Sequence, residues 1–108
     1  MASEQRIEKL KEIIAGDPKD LFSRYALALE YNGINEPLTA IEILEELLKI
    51  DGTYLPAYHH LGQMLGKMNK TQEAKHVYRS GIDLAMTQND EKTAKEMREE
   101  LEELEDEW

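Results

Sequence analysis

No cysteine occurs among the 108 residues, which excludes a disulfide framework, a thiolate metal centre and a cysteine nucleophile. The same absence fits a reducing compartment, and the expected location is cytoplasmic. Trp and Phe occur once each and Pro three times, so any core is aliphatic and of modest size, as suits one domain of this length. Long apolar runs are missing as well. The amino end is charged from its fourth residue and no stretch approaches a signal h-region or a membrane span, so neither is expected. Positive charge is scarce, with 13 Lys and Arg against 23 Asp and Glu. A surface of net charge −10 repels phosphate and releases no counterions, which disfavours nucleic acid as a partner. A neutral or basic segment of another protein is the expected partner. The excess acid is concentrated in residues 90–108, with 10 acids against 3 bases, and reads as the solvated face of a helix that aids solubility.

What is present is a period. Sliding the chain by 34 residues places Ala40 on Ala74, Leu27 on Leu61 and Asn35 on Asn69, the signature of stacked supersecondary units. The first segment joins the series, since Ile7, Leu10, Ile13, Ile14 and Asp17 fall on Ile41, Leu44, Leu47, Leu48 and Asp51. Within each unit the apolar residues follow helical spacing, as in Ile41, Leu44, Leu47 and Leu48, and strands have no foothold. Turn residues separate the periodic segments at Gly16-Asp17-Pro18, Asn32-Gly33-Ile34-Asn35, Asp51-Gly52-Thr53 and Lys67-Met68-Asn69. Six helices are expected, at roughly 3–15, 20–32, 37–50, 54–67, 71–87 and 90–106. Asn35 and Asn69 are placed to cap the helices that follow them, and Pro37 suits a first helical turn. Gly62, expected in mid-helix at a cost of about 1 kcal/mol, is explained if it faces Ala74 and lets two helices approach closely.

These residues resemble the tetratricopeptide repeat motif, W-x2-L-G-x2-Y followed by A-x3-F and P in a unit of 34 residues. Residues 55–88 read Tyr58-x2-Leu61-Gly62-x2-Leu65, then Ala74-x3-Tyr78 and Gly81; residues 21–54 read Arg24-x2-Leu27-Ala28-x2-Tyr31, then Ala40-x3-Leu44. The inter-repeat proline occurs only as Pro18, with Gly52 and Met86 in the later places. The resemblance implies an all-α fold, a right-handed superhelical stack of antiparallel helix pairs. It would form one domain: a half repeat at 3–18, repeats at 21–54 and 55–88, and an acidic capping helix at 90–108.

That last helix falls out of register with the repeats, with Ala94, Met97, Leu101, Leu104 and Trp108 in a 3-4-3-4 stripe between charged residues. Two readings follow: a cap laid over the second repeat, or a surface on which two copies dimerise through Met97, Leu101 and Leu104 as a short coiled coil. Acidic flanks on both copies oppose the second.

Catalytic candidates are few. His59, His60 and His76 are the only imidazoles, and adjacent helical histidines project about 100° apart, a poor arrangement for sharing a metal. Carboxylates such as Glu42 and Glu46, near Lys49, read as ordinary surface pairing. No nucleotide, nucleophile-elbow or zinc motif occurs. No catalytic, cofactor or metal residues are assigned and the chain is not expected to be an enzyme.

The resemblance instead implies a concave surface lined by the first helix of each repeat and suited to a partner's peptide or helix. Phe22, Tyr25, Leu29 and Asn32 form a stripe separate from the packing residues of the first repeat, and His59 and Gln63 occupy the matching places in the second. The carboxylate clamp of some relatives is not implied, because Tyr25, Leu29 and His60 stand where Lys, Asn and Arg would be needed. Tyr25 and Leu29 are either open groove or core covered by a neighbouring helix. An adaptor binding a partner protein and a self-associating structural element both remain.

Overall fold

Local sequence accounts for each helix of the computed structural model, which describes residues 2–106, with side chains from residue 3 onward. Helix α1 (Ala2–Gly16) carries the Ile7 stripe and stops two residues short of Pro18. Helix α2 (Leu21–Gly33) starts on Asp20, whose Oδ1 accepts the Ser23 amide at 3.0 Å while Ser23 Oγ donates to Oδ2 at 2.8 Å. These bonds, the Ser23 amide foremost, hold the Asp20 carboxyl below its ordinary range. Helices α3 (Pro37–Ile50) and α4 (Leu55–Lys67) each have a proline in the first turn, where a missing N–H is harmless. Helices α5 (Thr71–Thr87) and α6 (Glu91–Asp106) complete the chain. Expected and observed bounds agree to within a residue or so.

Asn35 and Asn69 act differently from the sequence expectation. They close the preceding helix, and so does Asn89. All three have positive φ, at 64°, 60° and 59°. Each donates its N–H three residues back, to Asn32, Gly66 and Met86. The next residue then bonds five back, as in Lys70 N–H to Leu65 O at 2.9 Å. This is the Schellman termination, which demands a left-handed residue that asparagine tolerates better than other side chains. Helices α3 and α5 accordingly begin without a side-chain cap. Asn69→Ala is expected to lower stability by about 1–2 kcal/mol, and Asn69→Gly to leave it equal or raised. Thermal unfolding of the two variants separates this role from an N-cap, for which glycine would bring no gain.

The chain divides into two compact units, Met1–Gly52 and Thr53–Trp108. In the first, α1 and α3 both pack on α2, and Ile7, Leu27, Ala28, Ala40, Ile41, Leu44 and Leu47 are buried. In the second, α4 and α6 both pack on α5, burying Leu61, Leu65, Ala74, Tyr78, Ala85, Ala94 and Met97. Two glycines admit close contacts there. The atoms nearest a Cβ on Gly62 belong to the Tyr78 ring, at 2.8 Å, and not to Ala74 as the sequence suggested. A Cβ on Gly81 would meet Met97 Sδ at 2.8 Å and Tyr58 Cβ at 2.9 Å.

Helix α6 begins as α2 does. Asp90 Oδ1 accepts the Thr93 amide at 3.0 Å, and Thr93 Oγ1 donates to Oδ2 at 2.8 Å. Matched on these caps, Ala94, Met97, Arg98 and Leu101 fall on Arg24, Leu27, Ala28 and Tyr31. The break in register seen in the sequence arises because α5 has 17 residues where α3 has 14. α6 therefore has the local pattern of a repeat's first helix. Arg98 fills the small-residue position held by Ala28 and Gly62, and its guanidinium donates to Met86 Sδ at 3.2 Å.

Candidate partner-binding site

In the first unit, positions 22, 25, 29 and 32 recur at i, i+3, i+7 and i+10, so α2 presents them on one face. Phe22 is 68% exposed. Tyr25, Leu29 and Asn32 are each partly exposed, so Tyr25 and Leu29 are neither fully open nor closed into the core.

In the second unit, the expected residues His59 and Gln63 of α4 meet a residue that the sequence reading passed over. Glu100 of α6 lies with Oε2 at 2.7 Å from His59 Nε2. Its Oε1 accepts from Gln63 Nε2 at 3.0 Å and from the Tyr78 hydroxyl of α5 at 2.8 Å. An ionised carboxylate only accepts, so His59 Nε2 carries the hydrogen of that contact. Burial alone would raise the Glu100 carboxyl, but the bonds from His59, Tyr78 and Gln63 outweigh it and set the group below its ordinary value. Burial first, then its bond to Glu100, pushes the Tyr78 hydroxyl well above the usual tyrosine range. Arg79 of α5 adds an exposed pairing to Glu105 at 2.8 Å. A cleft of about 460 Å³ beside this cluster is lined by Gln63, Lys67, Tyr78, Glu103 and Leu104 among others.

A signal for Glu100 was present in the sequence. It completes an i, i+3, i+4, i+7 set with Met97, Leu101 and Leu104, the spacing of a packed helix face. The same stripe reads from sequence as either a cap or a dimer surface, and most of it packs within its own unit. Met97 is wholly buried against Gly81 within its own unit, and Leu101 and Leu104 are partly buried, while Trp108 lies outside the described residues. His60 is half-buried, and burial, then His59, lowers it. The two adjacent rings are 6.2 Å apart and tilted by 43°. Among the described residues no group of three His, Cys, Asp or Glu could hold a metal ion. No described helix is long and apolar enough to cross a membrane.

Paired antiparallel helices, a recurring Schellman asparagine and small residues at fixed offsets define a helical-repeat scaffold. The tetratricopeptide repeat family matches at residues 55–88. A tetratricopeptide repeat domain protein from Salinibacter ruber is similar at 32% identity and TM-score 0.78, over 82% of this chain and 90% of that one. A protein from Bordetella parapertussis shares 26% identity at TM-score 0.80, over 91% and 85%. The Sgt2 tetratricopeptide domain of Aspergillus fumigatus, at 20% identity and TM-score 0.73 over 95% and 72%, shares the fold. A comparison with curated proteins gives no match. The chain belongs to the tetratricopeptide repeat family.

Proposed function

We propose that this chain is an adaptor that binds a segment of a partner protein, with the Phe22, Tyr25, Leu29 and Asn32 face of α2 as its principal contact surface. The fold is that of a protein-interaction scaffold, and the reading of the face rests on one observation. Phe22, a large aromatic, is 68% exposed at the head of a row of partly exposed side chains. Aromatic side chains offer contact area at low entropic cost and concentrate binding energy. His59 and Gln63 contribute less directly, because Glu100 already engages their polar ends. A neutral or basic segment suits the acidic chain.

The test is selection of peptides against the full chain from a displayed library, followed by titration of the parent and Phe22→Ala. Truncating an exposed side chain should change stability by less than about 0.5 kcal/mol while weakening binding about tenfold or more, the mark of a hot spot. Selected peptides indifferent to Phe22→Ala would move the site elsewhere. A mass by light scattering that rises with concentration would favour a self-associating element instead.

A further inference from the structure

We propose that the cleft between α1 and α3 is a second docking surface, built for an amphipathic helix of a partner protein that carries two basic residues one turn apart along its flank. It lies on the opposite side of α2 from Phe22, about 150° round the helix, and does not depend on the adaptor surface. The cleft has a volume of about 540 Å³, in the range of binding clefts that close over apolar anchors. Ile14 of α1, Leu27 of α2 and Ile43 of α3 supply its apolar lining.

The charges on its walls decide the occupant. On α1 and α2, both cations are already occupied. Lys11 Nζ lies 3.9 Å from Glu8 and 5.8 Å from the centre of the Tyr31 ring, and Arg24 Nε donates to Pro18 O at 2.9 Å. On α3 the situation is the reverse. Glu42 and Glu46 line the cleft one turn apart, and neither makes an ion pair or hydrogen bond among the described residues, the nearby Lys49 included. Like charges at i and i+4 disfavour the helix that carries them, and an apolar trough beside them lowers the local dielectric that a bound cation would feel. A helix laid in this trough would place apolar residues at i, i+3, i+4 and i+7 on Ile14, Leu27 and Ile43, the helix-in-groove mode. Lysines at i and i+4 on its flank would then meet Glu42 and Glu46.

The test titrates the isotope-labelled full chain with a synthetic helix of about five turns bearing leucines at those apolar positions and two flanking lysines, and with a second peptide carrying glutamates in place of the lysines. The lysine peptide is expected to shift amides of residues 11–15, 24 and 39–46, and to bind more weakly as salt is raised. Glu42→Lys with Glu46→Lys, both at exposed positions, should weaken it about tenfold and create binding of the glutamate peptide. Shifts confined to other residues, equal binding of the two peptides, or no binding at millimolar concentration overturns the proposal. A concentration-dependent mass in the parent that disappears in the double variant also overturns it, by assigning the cleft to a second copy.

Discussion

Gly62→Ala is expected to destabilise the chain by about 1–3 kcal/mol, against a helix-propensity gain of about 1 kcal/mol that the same change brings in an open helix. The reason is the Tyr78 ring, whose Cε1 and Cζ would lie 2.8 Å from the new methyl group. That ring cannot readily turn away, because it is 3% exposed and its hydroxyl is tied to Glu100. Relief must come from separating α4 and α5, which loosens the packing of Leu61, Leu65 and Ala74. Gly66→Ala is the matched control. Its Cβ would meet only Leu104 Cδ2, at 3.6 Å, so that variant should gain up to about 1 kcal/mol. Thermal unfolding followed by circular dichroism reads both, at about 4–8 °C per kcal/mol for a small domain. Equal melting of the Gly62 variant and the parent would show that the ring has room to move and that glycine is not what brings these helices together.

Glu100→Ala is the second large effect, expected at about 1–3 kcal/mol, because it leaves the buried Tyr78 hydroxyl without its acceptor. Glu100→Gln should lie between the variant and the parent, since its one amide oxygen can accept for some of the donors but not for all three. The pH dependence follows from the depressed Glu100 carboxyl. A group whose folded value lies below its unfolded value contributes stability at pH above the unfolded carboxylate range. That contribution is lost as pH falls through the folded value. The parent should therefore lose more stability between neutral and acid pH than Glu100→Gln. Asp20 and Asp90, depressed by their cap bonds, add to the acid loss in both proteins and cancel in the comparison. Parallel stability curves down to acid pH would show that Glu100 is no more stabilised in the folded chain than in the unfolded one.

Part of the geometry of the proposed contact surface was legible beforehand. The face of α2 follows from helical spacing, and the structure leaves Phe22 exposed. The engagement of His59 and Gln63 was legible only in part: the spacing of Met97, Leu101 and Leu104 marks Glu100 as the inward member of the acidic run, but not the donors it meets. Among the glutamates of α6, Glu99, Glu102 and Glu103 remain exposed while Glu100 reaches three donors. Composition treats these four alike. Helical spacing with Met97, Leu101 and Leu104 puts Glu100 on the packed face, and the tertiary structure supplies the donors it meets there.

By itself the sequence determined what is local and periodic: six helices, a unit of 34 residues and the small residues at the crossings. Helical bonds join residues four apart, and an apolar stripe records which side of each helix is buried. The tertiary structure alone decided the matters that need a partner from another helix. It placed Tyr78 against Gly62, buried Met97 and drew one glutamate of the acidic helix onto His59 and Gln63. Those outcomes depend on the lengths and rotations of neighbouring helices, which no single segment of sequence encodes.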